Sequence, residues 1–393
     1  MGLDLDKIRK DFEILGKRIV YFDNACMSLK PRQVVEKINE YYKEYPGCAG
    51  RSEHSISKRV GEEVHRARSI IAKFFNARKS SEIIFTRNTT EGINLIANSF
   101  GLKKNDAVLL SDKEHNSNLI PWLNLKKKEG IKVKFFEFGN LDDFGKKLSS
   151  DVKLVSTVHM SNLDGTSQDI REIARIAHRK GAKVLVDAAQ SAPHKEIDVR
   201  KLDVDFMSCS GHKMLGPTGM GVLYGKFDEL KKLSQFISGG DTVKDSNYDS
   251  FVMEDIPERF EAGLQDYSGI IGMAEALNYL KKIGMKNIHS HELKLNRILT
   301  EKLAGKVQIL GGNDSEKRSG IFSFNIKGID AKEIAGILNS SHIMIRAGYH
   351  CCHSWFNAHK INGSARASLY FYNTEEECEK FIEEVMKIVK LAR

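Results

Sequence analysis

The sequence predicts an α/β protein: a large domain built on a mainly parallel sheet with helices on both faces, followed by a smaller α+β domain. Three observations carry this prediction. At 393 residues the chain exceeds what one ordinary core organises, so two domains are expected. Beyond residue 82, short apolar runs alternate with amphipathic helical patterns, the pattern of strands joined by crossover helices. Polar clusters recur where those runs end, the edge at which parallel sheets bind ligands.

Composition narrows the class. Hydrophobic content of 41% with 29% charged residues fits a soluble globular chain, and no apolar run reaches the roughly 20 residues a membrane span needs. The net charge of +9 comes with no nucleic-acid-binding motif, so it reads as a lysine-rich solvated surface. The first ten residues alternate acidic and basic side chains without an apolar signal core, which predicts a cytoplasmic protein. Six cysteines without a Cys-x-x-Cys pair predict free thiols in a reducing compartment.

In chain order, residues 5–15 predict a short leading helix. Pro31 opens a second, with Val34, Val35, Ile38, Tyr41 and Tyr42 on one face. Val60, Val64, Ala67, Ile71 and Phe74 mark a third, ended at Asn76. Strands are expected at 82–86, 107–111, 132–138, 152–159, 183–187, 204–208 and 221–224. A polar stretch, 238–250, is expected as an irregular functional or interface loop. Helices resume over 270–303, and strands at 321–326, 343–346 and 366–371 alternate with helices from Asp330 and Thr374. We place a large domain at 18–284 and a small one at 285–393, with 1–17 packing on the latter.

Four clusters fall at strand ends: Asn88-Thr89-Thr90, where a helix start offers free amides to an anion; Glu114-His115; His159-Met160-Ser161-Asn162; and Asp187-Ala188-Ala189-Gln190. The Gly/Pro-rich turn 208–221 carries Lys213 where its amine can be partly desolvated, as a Schiff-base lysine requires. A lone loop lysine is ordinarily just solvated. Asp187 is what changes its reading: pyridoxal 5′-phosphate (PLP) needs both a lysine for its imine and an acid to keep its ring nitrogen protonated.

Ser210-Gly211-His212-Lys213, Asp187-x-x-Gln190, Glu114-His115 with Asn118-x-x-Pro121-Trp122, and Arg346-Ala347-Gly348-Tyr349-His350-Cys351 together resemble the SUF-type (group II) cysteine desulfurases, of the class V aminotransferase group. The resemblance implies a homodimeric PLP enzyme of fold type I that converts L-cysteine to L-alanine. It also implies that sulfur passes to an acceptor protein or scaffold for iron–sulfur cluster or other cofactor assembly. By matching position, Lys213 binds the cofactor covalently, Asp187 pairs with the ring nitrogen, Gln190 contacts the ring hydroxyl and His115 stacks on the ring. Asn88, Thr89, Ser210 and His212 surround the phosphate. Asn162, Arg366 and Arg346 face the substrate, and Cys351 is the nucleophile that takes its sulfur, aided by Arg346 and His350.

Other readings of the same residues are a selenocysteine lyase, a cysteine sulfinate desulfinase, or a PLP-binding sulfur carrier with little turnover. A zinc site from His350, Cys351, Cys352, His353 and His359 is disfavoured, because adjacent residues converge poorly on one tetrahedral ion; we expect no metal. The chain also departs from the family pattern. Cys26 and Met27 stand where small residues are usual, which predicts a narrower pocket. Leu264 and Gln265 follow Glu261-Ala262-Gly263 where a partner-subunit phosphate contact is usual, Arg51-Ser52-Glu53-His54 changes the middle of its motif, and Cys352 directly follows Cys351.

Overall fold

The computed structural model describes residues 3–50 and 52–391; Arg51 of the altered 51–54 motif lies outside the described residues. Fifteen strands are named here in chain order: β1 (Val20–Tyr21), β2 (Ile83–Thr86), β3 (Ala107–Ser111), β4 (Lys132–Phe136), β5 (Val152–Val158), β6 (Lys183–Asp187), β7 (Phe206–Ser210), β8 (Gly221–Gly225), β9 (Val243–Ser246), β10 (Phe251–Met253), β11 (Gln308–Ile309), β12 (Ile321–Asn325), β13 (Ile343–Met344), β14 (Arg346–Gly348) and β15 (Ser364–Ser368).

The main sheet has the order β2-β8-β7-β6-β5-β3-β4. All pairs from β7 through β4 are parallel, and β8 runs antiparallel to both of its neighbours. Its central strands are apolar almost throughout because both faces are covered. Successive side chains accordingly enter different cores: Val184 and Val186 of β6 join one cluster while Leu185 joins the other, and Leu109 and Leu110 of β3 divide the same way. Asp187 ends β6 and Ser210 ends β7, so the chain's chemistry sits at the carboxyl edge of the sheet.

A second sheet, β11-β12-β15-β14, is antiparallel and has its own core, including Leu295, Leu299, Phe322, Phe324, Phe381 and Val385. β1 pairs in parallel with β13, carrying the segment after Tyr21 onto this unit; Asp23 bridges to Ser368.

Two expectations change. The leading helix spans Leu5–Arg9 only; a separate 3-10 turn covers Glu13–Lys17. Between them Phe12 leaves helical geometry to pack on Tyr279, Phe371 and Tyr372, and Asp11 accepts a hydrogen bond from the Tyr279 hydroxyl at 2.7 Å. The 238–250 stretch is not wholly irregular. β9 lies in it and forms an antiparallel hairpin with β10, and the loop between them exposes Tyr248. Among the described residues no helix is long and apolar enough to cross a membrane.

Candidate active site

A cavity of about 440 Å³ opens at the carboxyl edge of the main sheet, against the second sheet. Every candidate residue from the sequence lines it: Asn88, Thr89, His115, Asn162, Asp187, Gln190, Ser210, His212, Lys213, Arg346, Cys351 and Arg366.

The inner wall is built from strand ends. Asp187 is buried, with one carboxylate oxygen accepting from Ala189 N–H at 2.9 Å. Burial raises its pKa, while the Ala189 N–H and the nearby Lys213 oppose this. A buried carboxylate of this kind fits a cationic ring N–H, which would restore its charged form. Gln190 donates to the Ala25 carbonyl at 2.7 Å, leaving its side-chain oxygen buried and without a partner, an acceptor suited to a ring hydroxyl. Lys213 follows β7 in the turn Gly211–Lys213; burial lowers its amine, Asp187 opposes and Arg366 adds to the lowering.

The anion end lies where Asn88 caps the helix Thr89–Ser99 by accepting from Glu91 N–H at 3.0 Å. Ser210 Oγ accepts from Thr89 N–H at 2.9 Å and meets Thr89 Oγ1 at 2.7 Å. Gly221 makes this approach possible: a Cβ there would lie 2.6 Å from Asn88 Cα and 2.8 Å from the Cys209 carbonyl. Burial, with Lys213 and Lys30, lowers His212 to about 4, so it is a neutral donor at pH 7.

His115 accepts from Ser117 N–H through Nδ1 at 3.0 Å, which places its proton on Nε2. Burial first, then Lys213, Arg366 and His353, lower it to about 3. A neutral imidazole can stack on a cationic ring without repulsion. Beside it, buried Glu114 is raised to about 7 by desolvation while accepting from Asn118 at 2.7 Å, Val158 N–H at 3.0 Å and Thr157 at 3.1 Å. Glu114, which in the sequence stands out only as the neighbour of His115, ties the His115 loop to β5.

The second sheet supplies the outer wall. Arg366, buried on β15, donates to the Asn162 carbonyl at 2.8 Å and keeps its Nε buried without a partner, a donor suited to a carboxylate. Asn162 reaches the cavity but is largely engaged: Nδ2 donates to the His350 carbonyl at 2.6 Å and Oδ1 accepts from Cys352 Sγ at 3.2 Å. Arg346 is held by Asp23, a partner no sequence pattern announces.

Cys351 is exposed at the cavity mouth, in the short loop between β14 and the helix His353–His359. Both His350 (φ 47°) and Cys351 (φ 58°) take left-handed backbone conformations, uncommon without glycine. The expected help from His350 is not supplied as charge. Burial and Arg366 push His350 down to about 2, and its Nε2 is bonded at Ser364. Cys352 faces inward, buried, its thiol pushed up to about 12 by desolvation. Met27 does not narrow the pocket. It lies outside the cavity, 38% exposed, whereas Ala25 and Cys26 line it. Leu264 is 70% exposed and does not line this cavity; it lines a neighbouring pocket with Thr86, Arg87 and Glu91. Among the described residues no group of three or more His, Cys, Asp or Glu side chains forms a metal site.

A lysine and an acid at the carboxyl edge of a parallel sheet, with a helix start for an anion and a second domain closing over them, define a fold type I PLP enzyme. The aminotransferase class-V family model matches residues 20–381. A probable cysteine desulfurase of Synechocystis sp. is 40% identical over 98% of this chain and 95% of its own length. A cysteine desulfurase of Haloferax volcanii is 36% identical over 98% and 96%. Among solved structures, the apo cysteine desulfurase of Thermococcus onnurineus NA1 superposes with a TM-score of 0.96 at 38% identity, covering 99% of each chain. An Escherichia coli cysteine desulfurase does so with 0.93 at 30% identity, covering 100% of each. The chain belongs to the class-V aminotransferase family of PLP enzymes and, within it, to the cysteine desulfurases.

Proposed function

We propose that this chain converts L-cysteine to L-alanine and holds the released sulfur as a persulfide on Cys351. The observation carrying this reading is that Cys351, Lys213 and Arg366 open on one cavity whose remaining walls fit PLP. Thr89, Ser210 and His212 would hold the phosphate, Asp187 the ring nitrogen, Gln190 the ring hydroxyl and His115 the ring face. When bound, PLP supplies an electron sink for a substrate that has lost its Cα proton.

The chain's own residues do the rest. Arg366 grips the substrate carboxylate through its free Nε, and the carbonyl of Asn162 fixes the guanidinium plane. Lys213, its amine lowered by burial, anchors the cofactor, then takes the Cα proton and later returns one. Cys351 Sγ attacks the substrate sulfur: a sulfur–sulfur bond forms, the carbon–sulfur bond breaks, and the former substrate carbon is protonated to give alanine. Asp23 occupies Arg346, so Arg346 orders the cavity mouth rather than gripping substrate directly.

The SUF-type assignment is part of this proposal. It is supported by the short loop carrying Cys351: a nucleophile held this close to the fold needs its acceptor, a protein or scaffold for iron–sulfur or related cofactor assembly, to come to it. We also propose a cytoplasmic homodimer. The exposed apolar residues Tyr248, Phe251, Val252 and Leu264 favour a covered face on the large domain. The test is alanine and sulfide release by holoenzyme from L-cysteine, L-selenocysteine and L-cysteine sulfinate. We expect Cys351→Ala to abolish release from cysteine; full retention overturns the persulfide step, and preference for either other substrate reassigns the reaction.

A further inference from the structure

The site holds a second thiol that the reaction above does not use. Cys26 and Cys351 are the two cysteines lining the cavity, and both are solvent-accessible, Cys351 more so. The remaining neighbour is no substitute: Cys352 does not line the cavity, and its buried thiol donates to Asn162 Oδ1 at 3.2 Å. Cys26 is also held in place from three directions. Ala25 N–H donates to Ser368 Oγ at 2.9 Å, the Ala25 carbonyl accepts from Gln190 at 2.7 Å, and Cys26 N–H donates to the Asp23 carbonyl at 3.1 Å. These anchors join the Cys26 turn to the cofactor wall on one side and to the second sheet on the other. The Cys26 backbone is therefore fixed at the cavity wall that it lines.

The electrostatic surroundings are shared. Cys26 interacts with Lys213, Arg366 and Arg346, and Cys351 interacts with the same Lys213 amine. Thiol–persulfide exchange proceeds by attack of one sulfur on the outer sulfur of the other, so it needs both sulfurs on one cavity. Reach is extended on the other side, because a persulfide carries its outer sulfur ~2 Å beyond Sγ and the exposed Cys351 side chain can change rotamer.

We infer that Cys26 is a second sulfur-carrying thiol of this site, accepting the outer sulfur of the Cys351 persulfide and freeing Cys351 for another turnover. The inference rests on the persulfide reading above. In the step, the Cys26 thiolate attacks the outer sulfur of Cys351–S–SH. A bond from Cys26 Sγ to that sulfur forms as the bond to Cys351 Sγ breaks, and Cys351 leaves as thiolate. The transferred sulfur keeps its proton and oxidation level, so no oxidant or reductant is consumed.

The experiment uses holoenzyme exposed to L-cysteine without reductant, followed by persulfide-selective alkylation and peptide mass spectrometry. Exposed Cys48, which does not line the cavity, reports sulfur arriving through solution. We expect sulfur on Cys351 and Cys26, little on Cys48, and none on Cys26 in Cys351→Ser. The alanine burst should be about two per chain, falling to about one in both Cys26→Ser and Cys26→Ala. Sulfur on Cys351 alone, on Cys26 in Cys351→Ser, or on Cys48 as heavily as on Cys26 overturns the inference and leaves the Cys351 reading standing. Sulfur on neither Cys351 nor Cys26 overturns both.

Discussion

Arg346 and Asp23 form a two-pronged ion pair, with Nε 3.0 Å and 3.2 Å from the two carboxylate oxygens and Nη2 2.8 Å from one of them. The pair fastens β14 to the segment after β1, beside the cavity mouth. Asp23 is shared unequally by the two arginines: it lies 2.8 Å from Arg346 Nη2 but 3.8 Å from Arg366 Nη2, and Arg366 keeps its Nε as a buried donor without a partner. Arg366→Ala should therefore raise KM for cysteine on the order of 10–100-fold, the worth of a charge-assisted hydrogen bond to a carboxylate. Arg346→Ala should raise it less than about tenfold and act mainly by loosening the mouth. Steady-state kinetics on the two variants checks this; an Arg346 effect exceeding that of Arg366 would reverse the assignment.

Acid should destabilise the fold through four partly or fully buried histidines that desolvation holds neutral. His115 and His159 are lowered to about 3, His212 to about 4 and His350 to about 2, burial being the leading cause each time. Below the unfolded pKa near 6.5 the unfolded chain binds protons that the folded chain refuses, so stability falls as pH drops from 6.5 toward these values. Glu114 has the opposite sign: raised to about 7, it favours the folded state at low pH and loses that contribution as pH rises from 4.5 to 7. Four histidines outweigh one glutamate over the shared window. The denaturant midpoint of the apoprotein should therefore be lower at pH 5 than at pH 7. A midpoint that rises on acidification contradicts these burials.

Much of this site is legible in the sequence because its parts sit at strand ends, and strand ends follow from apolar periodicity. Asp187 closes the run Val184-Leu185-Val186, and Lys213 follows β7 by three residues. What period and turn chemistry cannot supply is pairing between distant segments. The Arg346–Asp23 clamp spans 323 positions, and nothing local marks Asp23 as its partner. The same holds for Phe12, whose pull toward Phe371 and Tyr372 breaks a helix that local pattern alone continues. Neutral His350 is invisible for another reason: its charge state is set by the buried surroundings and Arg366, not by its neighbours in sequence.

A buried ion pair next to the sheet edge should be costly to break. Arg68 and Glu261 meet at 2.7 Å and 2.8 Å, both nine-tenths buried, and each also holds backbone of β2: Arg68 donates to the Ile83 carbonyl and Glu261 accepts from Phe85 N–H, both at 2.7 Å. Removing one partner leaves the other charge buried and unpaired, so Arg68→Ala should cost about 3–5 kcal/mol. Chemical denaturation reads this directly. A loss below about 1 kcal/mol would mean that water reaches the pair.

Gly221 should be required for cofactor retention rather than only for folding. It lies on β8 opposite Thr86, and the space its missing Cβ would fill is occupied by the Asn88 backbone at 2.6 and 2.8 Å, not by the flexible end of a side chain. Gly221→Ala must push the Asn88–Thr89 turn outward, away from Ser210 Oγ, and so spread the donors proposed to hold the phosphate. Displacing even one charge-assisted donor is worth about 1.5–3 kcal/mol, so PLP affinity should fall by on the order of 10–100-fold. Gly145→Ala is the matched control: it lies in the helix Leu141–Lys147 with nothing within 4 Å of its added Cβ, and it should leave PLP affinity unchanged. Fluorescence titration of the apo variants with PLP measures both, and equal affinity in the two would detach the Asn88–Thr89 turn from phosphate binding.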